Sequence, residues 1–187
     1  MELKEKILNA AITAFGEKGL KLTMDDVAKG ARISKKTLYN VFWDKEDLFF
    51  ALTDYYFTEM KAQERAIMED ETLDTLEKLR RLIVVQPERY RNVGLSNLYQ
   101  LRERYPETYQ RVANYLETDW DSAITLFKRG MEEGKLRKMS IPVVKAMVEG
   151  TIQHFLASSI LVEYGVSFED ALQEMINVIM DGITVRE

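Results

Sequence analysis

Apolar residues recur three and four positions apart along nearly the whole chain, and β-type alternation is confined to very short runs. That pattern predicts an all-α protein. Leu3, Ile7, Leu8, Ala11, Ile12 and Phe15 make one stripe of a first helix over about 4–18, with Gly19 as a left-handed stop. The next three helix starts share one grammar. Thr23, Ser34 and Asp44 offer capping oxygens, and Leu22 with Val27, Ile33 with Leu38 and Trp43 with Leu48 are spaced to staple each entry. They predict short helices over 24–30 and 35–41, joined only by Ala31, Arg32 and Ile33. Two short helices joined so tightly cross steeply, which is helix-turn-helix geometry. Longer helices are expected at 45–66, 72–85, 88–103, 107–133, 141–163 and 168–184. Proline occurs only at 87, 106 and 142, where each fits the first turn of a helix. The expected organisation is a helix-turn-helix domain at 1–47 followed by a larger helical domain at 48–187.

Composition narrows the chemistry. With 187 residues, 46% of them hydrophobic, the chain can build a proper core. The absence of cysteine excludes disulfides and thiolate metal sites, and one histidine cannot supply a two-histidine site or a pair of Glu-x-x-His motifs. No metal, no cofactor and no enzymatic activity are expected. A carboxylate-only hydrolase is the remaining enzymatic alternative, but Asp25-Asp26 and Glu132-Glu133 read better as a helix cap and a solvated face. The first residues lack the basic-then-apolar order of a signal peptide, and the weakly polar stretch 152–162 is broken by Gln153, His154, Ser158 and Ser159. A cytoplasmic protein without a membrane partner is expected.

The net charge of −5 argues at first against a nucleic-acid partner, but its distribution reverses that reading. Residues 29–45 carry Lys29, Arg32, Lys35, Lys36 and Lys45 against Asp44 alone. A locally basic segment on an acidic body is the layout of a DNA reader attached to a domain that stays off DNA. The helix after the turn has the two faces such a reader needs. Leu38, Val41 and Phe42 turn back to the core, leaving Lys35, Lys36, Thr37, Tyr39 and Asn40 outside. Lysines and hydroxyls reach phosphates, and Asn and Thr address base edges or a thymine methyl. Helix starts at Thr23 and Ser34 offer backbone N–H groups to phosphates; at Asp44 the carboxylate competes, so Lys45 is the better contact there.

The segment TMDDVAKGARISKKTLYNVFWDKEDLF resembles the DNA-binding signature of the tetracycline-repressor (TetR) family. The match rests on Thr23, Val27, Ala28, Ala31, Ile33, Ser34, Thr37, Tyr39, Phe42, Lys45 and Leu48. The resemblance implies that Thr37, Tyr39 and Lys45 meet phosphates or thymine methyls, and that Lys35, Lys36 and Asn40 approach bases or the flanking backbone. Arg32 stands where the family usually has glycine. In a left-handed conformation it would carry strain on the order of 1 kcal/mol, which a phosphate contact by its guanidinium could offset. The resemblance also implies a homodimer on near-palindromic double-stranded DNA, with Met147, Gly150, Ala157, Leu161, Leu172, Met175, Ile176 and Ile179 as interface candidates. It implies a small-molecule ligand, apolar or aromatic, that releases a repressor from its operator, with Tyr99, Trp120, Phe127 and His154 as candidate ligand contacts. A second reading keeps the helical fold as a binding module that has lost DNA; Arg32 and the acidic balance are its support.

Overall fold

The protein is described from a computed structural model covering residues 2–90 and 99–186. Its α-helices are α1 (Leu3–Lys18), α2 (Met24–Gly30), α3 (Lys35–Tyr39), α4 (Lys45–Glu69), α5 (Thr75–Ile83), α6 (Leu101–Arg104), α7 (Pro106–Thr118), α8 (Asp121–Glu132), α9 (Ile141–Ala157), α10 (Ile160–Tyr164) and α11 (Phe168–Ile183). Single 3-10 turns lie at Gly19–Lys21 and Glu88–Tyr90. There is no strand among the described residues; one isolated antiparallel bridge joins Leu136 to Thr184. No described helix is long and apolar enough to cross a membrane.

The N-terminal helices pack around Ile7, Leu22, Val27, Leu38 and Phe42, all but closed to solvent. α4 leaves this cluster and runs 25 residues into the rest of the molecule. It lies parallel to α7, and the pair is joined rung by rung. Phe49 meets Tyr105 edge to face at 4.8 Å, the Arg111 guanidinium grips the Asp54 carboxylate at 2.6 and 2.7 Å, and Phe57 stacks on Tyr115 at 4.2 Å. Lys61 reaches Asp119 one step further on. Arg89 ties three segments together, donating to Asn9 of α1 at 2.6 Å and to the Tyr55 hydroxyl of α4 at 3.1 Å while pairing with Glu59.

Two expected helices are each two. The helix expected at 107–133 stops at Thr118 and restarts at Asp121. The Trp120 indole N–H donates to the Leu116 carbonyl at 2.7 Å, taking an acceptor the continuing helix would have used, and Asp119 is drawn to Lys61. The helix expected at 141–163 breaks at Ser158, whose extended backbone (φ −128°, ψ 162°) and hydroxyl bond to the His154 carbonyl end α9. Ser159 then engages Glu163 at the start of α10. Of the helix expected at 88–103, residues 91–98 lie outside the described residues; the remainder is a 3-10 turn and the short α6.

Candidate nucleic-acid interface and ligand cavity

The three helix starts are capped as their sequences require. At α2 the Asp26 amide donates to the Thr23 hydroxyl at 3.2 Å and the Thr23 amide to the Asp26 carboxylate at 2.9 Å, a reciprocal box. Lys18 pairs with that carboxylate, and the Lys18 and Thr23 hydrogen bonds hold Asp26 well below the usual carboxylate range. Ser34 caps α3 through the Thr37 amide at 3.0 Å, and Asp44 caps α4 through the Asp47 amide at 2.9 Å. One staple is absent. Trp43 is 88% exposed, and its amide instead donates to the Asp47 carboxylate at 2.9 Å. The indole therefore does not reach Leu48; Phe42, almost fully buried one residue earlier, closes the core in its place.

Arg32 is the one residue other than glycine with positive φ among the described residues, at 52°. Its amide donates to the Lys29 carbonyl and that of Ile33 to the Ala28 carbonyl, both at 3.0 Å. This is the two-bond left-handed helix end usually made with glycine. The turn thus keeps the expected geometry and carries the strain in Arg32.

Arg32, Ser34, Lys35, Lys36, Tyr39 and Asn40 are exposed around α3, as is Thr23 at the start of α2, while Thr37 is half-buried. Asp25 draws Lys35 and Lys29 to itself at 3.0 Å each, which lowers its own pKa and leaves Lys36 and Arg32 as the unengaged cations of this face. Lys45 departs from expectation. It is half-buried; its ammonium donates to the Leu20 carbonyl at 2.7 Å and sits 5.4 Å from both the Phe49 and Tyr105 ring centres. Folding of the 3-10 turn at Gly19–Lys21 against α4 places an acceptor beside it that local sequence does not reveal.

Behind α4 lies a cavity of about 190 Å³. Its wall is overwhelmingly apolar and runs along one face of α4 (Phe49, Leu52, Tyr56, Phe57, Met60) and one face of α7 (Val112, Tyr115, Leu116), closed by Trp120 and by residues of α9 and α11. Ile12 and Phe15 of α1 and Leu20 also line it. Of the four expected ligand contacts, only Trp120 is in this wall. Phe127 is fully buried on α8 but outside this wall, His154 lies on the exposed side of α9, and Tyr99 accepts a hydrogen bond from Gln100 outside the wall. The sequence did not single out the polar members Thr53, Glu64, Gln86, Thr108 and Asp119. Glu64 stands seven residues after Phe57 and four after Met60, so a charge on the inward stripe of α4 was a signal available in the sequence.

The expected interface residues also divide. Met147 and Gly150 are exposed and Ala157 and Ile179 half-buried, but Leu161, Leu172, Met175 and Ile176 belong to the core of the single chain. Leu161 of α10 and Leu172, Met175 and Ile176 of α11 are taken up by the packing within the chain, so they are not free to meet another copy. Val143, Met147 and Val178 are the large apolar residues that α9 and α11 leave outside.

The profile of the family described as bacterial regulatory proteins, tetR family, matches residues 7–52, which span the helix-turn-helix and the start of α4. The uncharacterized HTH-type transcriptional regulator YvaF of Bacillus subtilis is 23% identical over 185 residues, covering 99% of this chain and 97% of its own length. Among solved structures, the fatty acid degradation regulator FadR from Bacillus halodurans is similar with a TM-score of 0.68, at 18% identity over 97% of this chain and 96% of that one. The transcriptional regulator FadR from Bacillus subtilis in complex with stearoyl-CoA gives 0.66, at 19% identity over 96% and 98%. At these identities the structural likeness bears on the fold.

Proposed function

We propose that the chain, whose residues 7–52 match the profile of the TetR family of bacterial regulatory proteins, is a DNA-binding transcriptional regulator of that family, a cytoplasmic repressor that leaves its operator when a small apolar molecule fills the cavity behind α4. A helix-turn-helix domain over about residues 1–47 reads the DNA, and residues 48–187 sense the ligand and dimerise. The reading surface is Arg32, Ser34, Lys36, Thr37, Tyr39 and Asn40, with Thr23 at the α2 N-terminus and Lys35 once DNA competes with Asp25. One such unit makes few contacts, so two copies bind a near-palindrome with half-sites about 34 Å apart. The exposed apolar residues of α9 and α11, Val143, Met147 and Val178, support pairing through those helices.

The observation that carries the sensor half is the wall the cavity shares with the reader. Ile12, Phe15, Leu20 and Phe49 line the space, and Phe15 packs edge to face on Phe49 at 5.9 Å. The same Phe49 touches Tyr105, and Lys45 bridges Tyr105 to Leu20. An occupant that displaces Phe49 therefore acts on α1 and α4 together, and so on the position of α3. The stearoyl-CoA held by the similar Bacillus subtilis regulator favours an apolar occupant here.

Selecting bound duplexes from a random pool tests the reader half. The expected outcome is a near-palindrome whose affinity falls steeply with salt. The alternative, a module that has lost DNA, draws on Asp25 neutralising two of the basic residues. It predicts no enrichment at low salt.

A further inference from the structure

The charged residues in the described wall of the cavity are Glu64 and Asp119; no lysine, arginine or histidine of the described residues lines it. Both acids stand at the end of the α4–α7 pair remote from the helix-turn-helix. Lys61, with 43% of its side chain exposed, reaches in from the surface and pairs with Glu64 at 2.8 Å and with Asp119. One ammonium against two carboxylates leaves this pole with a net negative charge. The deficit has a location: Asp119 Oδ2 is closed to solvent and has no hydrogen-bond partner. Along the wall, the Thr108 and Tyr90 hydroxyls are also unpartnered, on residues more than nine-tenths buried. Thr108 is in the first turn of α7 and Asp119 is the residue that follows its last turn, eleven positions on and about 16 Å away along the helix axis.

Resting on the sensor reading above, we propose that the ligand is a hydrophobic amine: an apolar body with a cationic head that takes the place of the Lys61 ammonium between Glu64 and Asp119. A buried carboxylate without compensation is costly, and an anionic head placed beside two of them would add repulsion. A cationic head supplies the missing charge, and the Lys61 ammonium moves into solvent on its flexible stem. Trp120 follows Asp119 directly and lines the cavity, and its ring already has a cation over it, the Lys145 ammonium at 5.9 Å from the ring centre. The apolar remainder lies against Phe57, Met60, Tyr115 and Leu116. A hydrogen-bonding substituent about 16 Å from the head would meet the free Thr108 hydroxyl.

The test uses four probes with one decyl chain: decylammonium, decyltrimethylammonium, decanol and decanoate. Trp43→Phe in the full chain leaves Trp120 as the sole tryptophan and so as a reporter from the cavity wall. Both ammonium probes are expected to quench it at concentrations at least tenfold below decanol, with decanoate weakest. Lys61→Met should tighten ammonium binding about tenfold and leave decanol unchanged; Glu64→Gln with Asp119→Asn should erase the preference for the cation. Because the double variant removes an ion-pair network, its fold is checked by circular dichroism, and Lys61→Met decides if it fails to fold. Decanoate binding as tightly as decylammonium, or no gain for ammonium in Lys61→Met, overturns the ligand class while leaving the sensor reading intact. Binding of none of the four probes overturns both.

Discussion

The Ile33 amide donates to the Ala28 carbonyl at 3.0 Å across a residue, Arg32, whose φ is +52°. That bond fixes the angle between α2 and α3, and it requires a left-handed conformation that a residue with a Cβ adopts only under strain. Arg32→Gly is therefore expected to stabilise the protein by about 1 kcal/mol in urea unfolding. The same change removes an unengaged cation beside α3, so operator affinity should fall. A stability gain with unchanged DNA affinity would mean that the guanidinium does nothing at the interface.

Lys45 is expected to behave as a structural lysine. Lys45→Met loses the hydrogen bond to Leu20 and the contacts with Phe49 and Tyr105. Together these are worth about 1–2 kcal/mol, to be read as a lower midpoint in thermal unfolding. The salt dependence of DNA binding should stay as in the parent. A flatter salt slope would return Lys45 to the phosphate.

Local grammar was legible in the sequence where a structure depends on neighbours in the chain, and opaque where it depends on distant ones. The caps at Thr23, Ser34 and Asp44 and the turn around Arg32 involve partners within four or five residues, and they form as their spacing implies. Lys45 is turned inward by Leu20, 25 positions away. The break after α7 depends on Lys61 pulling Asp119, and no composition signal marks it. Trp43 satisfied the spacing of a staple, but Phe42 occupies the core beside it. Which side of α8 or α9 faces the cavity is a matter of packing, so Phe127 and His154 looked as eligible as Trp120.

Thr108 offers a test of the cavity that needs no ligand. Its hydroxyl is buried without a partner, so Thr108→Val replaces an unsatisfied polar atom by a methyl of the same shape. Stability should rise by about 1 kcal/mol in urea unfolding. A loss of stability would show that the hydroxyl is satisfied in solution.

Glu133 sets an acid limit on the C-terminal half. The Thr75 hydroxyl donates to its carboxylate at 2.9 Å and Arg129 and Lys135 pair with it, holding its pKa down to about 2 from an ordinary 4.5. A depressed folded-state pKa contributes stability above the unfolded value that is lost as pH falls towards the folded one. Unfolding stability should therefore decline between pH 4.5 and about 2, and Glu133→Gln should flatten the profile across that window. Equal slopes for the two proteins would remove Glu133 from the acid response.

DNA reading by the exposed face of α3 can be tested on the duplex itself. The most direct measurement is fluorescence anisotropy of a selected duplex titrated with the parent protein and with the Lys36→Ala/Tyr39→Ala variant over a range of salt concentrations. The parent should bind with affinity that falls steeply as salt rises, and the variant should lose specific binding while keeping its helical circular dichroism. Equal affinity and equal salt slope for the two proteins would mean that the exposed face of α3 does not read DNA.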